Sequence, residues 1–219
     1  MKLLKNTELD NDANVYVILG SVGSGKTSLV NSHKGKRLVL SFDDSYSTLK
    51  RDDGLQVVSE ITSQELVDTD KFLTELGQLA KGFDLVVFDN ISALQQKIVD
   101  DMTDGIAGSN KNGMAAYGAT QKIMRKLVRW ATEFDGDVLF TLWSKIDNGF
   151  EKPDMNDLAF NSVAGYAKVV GRTFVNKEYY VQMQPSLEGI AKNRVNKLEK
   201  TLNSKFWEAV QYREVDKNE

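Results

Sequence analysis

The chain of 219 residues carries 28 Lys and Arg against 31 Asp and Glu, a formal charge of −3, so it is not a globally basic, histone-like nucleic-acid binder. It has no cysteine and one histidine, His33, which excludes disulfide scaffolds, thiol catalysis, Cys-ligated zinc and His-rich metal sites. At about 150 residues per domain the length fits one domain that needs no covalent staple. The sequence has no apolar run of about 18 residues and no signal-like stretch near its start, so a soluble, cytoplasmic protein without membrane contact is expected.

Residues 1–14 read as a short N-terminal arm and residues 15–219 as a single domain. The run 15–19 (VYVIL) is a β-branched strand ending at Gly20. Three more follow: 37–42 (RLVLSF), ending at Asp43 and Asp44; 85–88 (LVVF), ending at Asp89; and 138–142 (VLFTL), ending near Trp143 and Ser144. These runs are nearly continuous in apolar residues rather than alternating, the pattern of strands buried on both faces. Between them, 69–81 predicts a helix capped by Asp68 or Thr69 and stopped by Gly82. A longer helix is predicted over about 114–134, with Tyr117, Met124, Leu127, Val128, Ala131 and Phe134 on its apolar stripe. Lys122, Arg125, Lys126 and Arg129 fall largely on its solvated face. Pro153 suggests a loop, 173–183 one or two late strands, and Leu198, Leu202, Phe206 and Val210 a short amphipathic element. Alternating strands and helices predict an α/β fold, a mostly parallel central sheet flanked by helices with right-handed crossovers.

The segment Gly20-Ser21-Val22-Gly23-Ser24-Gly25-Lys26-Thr27 matches G-x-x-x-x-G-K-[ST] at every fixed position, directly after a strand and opening a helix. Such glycines let backbone N–H groups wrap phosphate oxygens. Lys26 is expected to reach the β- and γ-phosphates, and Thr27 to ligate Mg²⁺. An acid at the carboxyl end of a buried strand is the usual second metal-holding group, and Asp89 supplies it. The next residue is Asn90 rather than a water-activating Glu, so a base must come from elsewhere. Asp43 and Asp44, ending the second strand at the same sheet edge, are the candidates.

With these motifs in place, the sequence over about 14–197 resembles a RecA-like P-loop ATPase core, closest to small phage-encoded RecA-like nucleotide-binding proteins, some of which anneal single strands. The more specific likeness lies in Val86-Val87-Phe88-Asp89-Asn90-Ile91-Ser92, with Asn90 where that family has Ser, and in the later Tyr117-Gly118 pair. The resemblance implies ATP and Mg²⁺ as ligands, single-stranded DNA as partner, and a homo-oligomeric ring or filament, with a single-strand-binding protein as a further partner. It places two DNA-facing loops at about 96–112 and 145–161, with Lys111, Lys145 and Lys152 for phosphates and Phe150 for a base. It also implies that Lys192 and Arg194 reach a neighbouring subunit's γ-phosphate. The Gln that senses the γ-phosphate in that family is missing, leaving Thr141 or Ser144 as substitutes.

Three alternatives stand beside this reading. Ser144-Lys145-Ile146-Asp147 differs at one position from the guanine-reading Asn-Lys-x-Asp, so GTP stays open, with ATP preferred. A loader or regulatory module for a helicase or packaging motor, binding nucleotide but hydrolysing it weakly, is the second. A small-molecule kinase, lacking an arginine-rich lid, is the third.

Overall fold

Strands apolar on both sides must be covered on both sides, and the chain is built that way. The computed structural model describes residues 14–103 and 111–211. In chain order the elements are β1 (Asn14–Gly20), α1 (Ser28–Ser32), β2 (Arg37–Ser41), β3 (Leu55–Val58), α2 (Ser63–Val67), α3 (Thr69–Leu79), β4 (Leu85–Asp89), α4 (Ile91–Thr103) and α5 (Lys111–Glu133). Then come β5 (Asp137–Asp147), β6 (Phe150–Pro153), α6 (Asp157–Ala164), β7 (Val169–Asn176), β8 (Glu178–Gln182), β9 (Lys192–Asn193), β10 (Lys200–Leu202) and α7 (Phe206–Gln211). The sheet runs β10-β8-β7-β1-β5-β4-β2-β3. From β7 to β3 its pairings are parallel. Strands β8, β9 and β10 join antiparallel on the β7 side, and β6 folds back on β5.

The period of two along β1 sorts its residues into two cores. Val15, Val17 and Leu19 face a large cluster that includes Leu76, Leu94, Met124, Leu127 and Phe160, drawn from α3 to α6. Tyr16 and Ile18 face a smaller cluster with Leu29 and Val30 of α1 and Phe206 and Trp207 of α7. The expected α/β fold is therefore present. Among the described residues no helix is long and apolar enough to cross a membrane.

Several sequence-based boundaries need correction. The 145–161 loop is mostly regular structure: β5 continues to Asp147, turns at Asn148 and Gly149, and returns as β6. Both turn residues have positive φ (51° and 81°), the geometry that an Asn-Gly pair favours in a two-residue hairpin. Pro153 is the last residue of β6 rather than a loop residue, as an edge strand tolerates. Asn156 then accepts the N–H groups of Leu158 and Ala159 and starts α6. The 96–112 loop is likewise replaced in part by α4, which runs to Thr103; residues 104–110 lie outside the described ones, as do residues 1–13 of the N-terminal arm. Tyr117 is 42% exposed, so the buried stripe of α5 is carried instead by Ala116, Thr120, Met124, Leu127 and Val128. Lys122, Arg125 and Arg129 are exposed as expected, while Lys126 pairs with Asp70 at 2.7 Å.

Candidate nucleotide-binding site

The loop from Gly20 to Thr27 leaves β1 at the carboxyl edge of the sheet, where open α/β folds bind ligands. Close packing fixes its path. A Cβ on Gly20 would lie 2.1 Å from Thr173 Oγ1 and 2.4 Å from Ser24 Oγ, so only glycine fits. Gly23 and Gly25 have φ of +75° and +97°, backbone that glycine alone adopts without strain. The Ser24 hydroxyl lies 2.7 Å from Ser21 O and 2.6 Å from Thr173 Oγ1, tying the loop to β7. From the other side, Asn203 Nδ2 donates to Gly25 O at 2.9 Å and to Ser28 Oγ at 3.1 Å. Val22 at the loop's tip is 89% exposed.

Lys26 is buried and curls back on its own loop, donating to Gly20 O at 2.7 Å and Ser21 O at 2.8 Å. Burial holds its ammonium below the ordinary lysine value, while Asp89, Asp43 and Glu151 pull the other way. Phosphate oxygens entering the loop would give this ammonium full charges in place of two carbonyl dipoles. Asp89 ends β4 under the same loop. Its carboxylate accepts the Thr27 hydroxyl at 3.3 Å and the Thr141 hydroxyl from β5. Burial pushes its pKa above the usual carboxylate range; the Thr141 bond, Lys26 and Thr27 offset part of this, and Asp43 adds to it.

Thr27 and Asp89 form a sparse all-oxygen donor pair, and no cluster of three or more metal-binding His, Cys, Asp or Glu exists among the described residues. Such a pair suits Mg²⁺, which keeps several waters and takes further oxygens from substrate phosphates. Thr141, one of the two substitutes for the missing Gln, thus touches the acid. The other, Ser144, instead donates to Glu151.

Asp43 and Asp44 part company. Asp43 accepts the side-chain amide of Asn90 and the N–H of Ser45, which holds it beside Asp89. Asp44 is exposed, in the left-handed region (φ 56°), with no hydrogen-bond partner among the described residues. A further carboxylate that the sequence did not signal, Glu151, projects from β6. It is held by Ser144 and by Arg172 of β7, whose guanidinium lies 3.0 Å from Glu151 and 2.9 Å from Glu188 and is almost fully buried.

The remaining predicted residues lie apart from this cluster of contacts. Lys192 donates to Ala164 O at 2.7 Å and Gly165 O at 3.2 Å, the carboxyl end of α6, while Arg194 is exposed. Burial and the nearby Arg194 hold Lys192 below the ordinary lysine value. Register pairs Lys145 with Lys152 and Asp147 with Phe150 across the β5–β6 hairpin, so these four share one face, and Ile146 and Glu151 share the other. Both lysines are engaged, Lys145 with Asp154 at 2.9 Å and Lys152 with Asp147. The Asp154 bond holds Lys145 above its ordinary value. The Ser144-Lys145-Ile146-Asp147 stretch is thus hairpin strand, and Asp147 is bound by Lys152. Lys111 opens α5; its side chain lies outside the described residues.

A glycine-rich phosphate loop, a lysine within it and a strand-end acid beneath it, all on a parallel α/β sheet, define a P-loop nucleotide-binding protein. The chain belongs to the AAA domain family, whose model matches residues 12–195. Among curated proteins none matches the chain.

Proposed function

We propose that the chain is an ATP- and Mg²⁺-dependent, RecA-like ATPase of a phage type that binds single-stranded DNA and promotes annealing or strand pairing in recombination. The observation that carries the ATPase part is the joint placement of Lys26, Thr27 and Asp89, two of them linked by a 3.3 Å hydrogen bond. In this reading Lys26 leaves Gly20 O and Ser21 O for the β- and γ-phosphates. Thr27 and Asp89 hold Mg²⁺, which when bound supplies charge neutralisation on the phosphates. Asp43, aimed by Asn90, orients the attacking water. The DNA part is supported by the hairpin face that gathers Lys145, Lys152 and Phe150. A backbone phosphate there would compete with Asp154 and Asp147 for the two ammonium groups, and Phe150, 37% exposed, would stack on a base.

A homo-oligomer follows if Arg194 acts across a subunit interface. The alternative, a loader or regulatory module with weak hydrolysis that contacts a helicase, a packaging motor or a single-strand-binding protein, is favoured by one observation: Lys192 is committed to the α6 carbonyls within its own chain. Measuring ATP hydrolysis with and without single-stranded DNA, across protein concentration, separates the two. DNA-stimulated turnover that rises more than linearly with concentration supports the ATPase. Slow turnover indifferent to DNA and to concentration supports the loader.

A further inference from the structure

A pocket of ≈ 280 Å³ opens between α4, the first turns of α5, the end of β5 and the segment from β6 to α6. It lies on the α3–α6 side of the sheet, whereas α1 and its phosphate loop pack on the other. Six of its residues matter here: Trp143, Tyr117, Gln95, Asn156, Ser92 and Lys145. Their hydrogen bonds show a bias. Gln95 Oε1 accepts the Asn156 N–H at 3.0 Å, which uses its carbonyl and leaves its amide donors unpartnered although the residue is 7% exposed. Asn156 Oδ1 accepts two N–H groups at the start of α6, which leaves its own amide donors open. Ser92 Oγ accepts the Trp143 N–H at 3.1 Å. The Trp143 indole N–H and the Tyr117 hydroxyl have no hydrogen-bond partner among the described residues. The acceptors of Gln95 and Asn156 are consumed by the fold and their donors remain beside two aromatic rings, while Gln96, whose amide donates to Asp100, and Asp154, paired with Lys145, place acceptors on the same wall.

Such a wall suits a flat ligand that offers acceptors to the Gln95 and Asn156 amides and a donor besides. The volume is at the small end for ligand sites, enough for one heterocycle and not for a folded chain. We propose that this pocket receives a single unpaired nucleobase, with its ring against Trp143 and Tyr117 and its carbonyl oxygens toward the amides of Gln95 and Asn156. Thymine, with two carbonyl acceptors, fits best. Lys145, at the rim and half-exposed in its pair with Asp154, meets the adjoining phosphate. The proposal rests on the single-stranded DNA reading for the polymer that delivers the base; the pocket's chemistry is the same for a free nucleotide.

The test uses the full chain with its phosphate loop filled by a non-hydrolysable ATP analogue. Binding of an oligothymidylate is compared with that of an abasic strand of equal length, and thymidine monophosphate is titrated separately by thermal shift. Gln95→Glu keeps the acceptor that Asn156 uses and replaces the free donor by oxygen. Tyr117→Ala truncates a side chain that is 42% exposed and makes no hydrogen bond among the described residues. The wild type is expected to prefer oligothymidylate over the abasic strand by at least about fivefold, the low end for one stacked base, and both variants to lose that preference while binding the abasic strand as before or, for Gln95→Glu, slightly more weakly. DNA binding without base preference, or a preference that survives both variants, overturns the pocket and leaves the DNA reading intact. No strand binding, but a Gln95-dependent shift with thymidine monophosphate, keeps the pocket as a free-nucleotide site and overturns the DNA reading. No response to any of the three overturns both.

Discussion

Asn203 is the residue through which the end of the chain reaches the phosphate loop, and Asn203→Ala measures what that tie does. Its amide donates to Gly25 O at 2.9 Å and to Ser28 Oγ at 3.1 Å, and it is 5% exposed. Removing two such bonds costs about 0.5–1.5 kcal/mol each. Two features reduce that loss. The Ser28 hydroxyl still bonds Gly25 O at 2.6 Å, so no carbonyl is stranded, and the buried Asn203 Oδ1, which has no partner, leaves with the side chain. A net loss of about 1–2 kcal/mol remains, a fall of roughly 2–8 °C in Tm for a domain of this size. The loop should suffer more than the fold. Ordering one freed residue on nucleotide binding costs about 1–2 kcal/mol, so affinity for a fluorescent ATP analogue should drop about tenfold. Asn196→Ala is the control, because Asn196 Nδ2 donates to Ala209 O at 2.7 Å in the same C-terminal segment without touching the loop. It should lower Tm and spare affinity. Affinity within twofold of wild type in Asn203→Ala would refute the tie to nucleotide binding; an unchanged Tm as well would refute the energetic reasoning.

Lys26→Ala should abolish nucleotide turnover while leaving the fold intact, because it removes an ammonium that burial disfavours; circular dichroism and phosphate release check both halves. Asp52 is held below the ordinary carboxylate value of 3.8, first by its hydrogen bond to the buried Arg37. The folded state therefore binds fewer protons than the unfolded one, so this stability is present above pH 3.8 and is lost as pH falls through the lower folded value. Asp52→Asn should remove that part of the acid limb in a Tm-against-pH series, and an unchanged limb would count against the pair. Mixing Lys192→Ala/Arg194→Ala subunits with Lys26→Ala subunits should restore some hydrolysis if a cation acts across an interface, and no restoration at any ratio, with assembly intact, would assign Lys192 to its α6 contact alone.

The parallel core was legible because a strand buried on both faces leaves a run of apolar residues that chemistry elsewhere rarely imitates. Runs 15–19, 37–42, 85–88 and 138–142 all proved to be strands within a residue or two at each end, except that the last continues far beyond Leu142. The phosphate loop was legible for a similar reason, since its glycines answer to backbone demands visible as φ values and a 2.1 Å Cβ clash. Edge elements were not. β3 is half exposed and only four residues long, and β6 is polar except for Phe150 and Pro153, so neither carries a burial signal. The partners that shape the site come from far along the chain. Thr173 and Asn203 reach the loop from 149 and 178 residues away, and a Thr or Asn carries no mark of the distant group it will bond. The Asn148-Gly149 pair did carry a mark, that of a tight hairpin, but the charged residues around it read as loop.

The hairpin also changes how the charge of the chain bears on function. A net charge of −3 over the whole chain gives a polyanion no overall attraction. On the two-stranded ribbon the alternation of side chains separates Glu151 from Lys145, Lys152 and Asp147. Glu151 lies on the face that Arg172 and Ser144 hold toward the phosphate loop, where it acts on Lys26, and Lys145 and Lys152 lie on the opposite face. Each lysine keeps a carboxylate partner within reach, Asp154 or Asp147. Under the proposed DNA reading, an incoming phosphate would gain by exchange rather than by meeting a bare cation, and its attraction would be short-ranged and sensitive to salt.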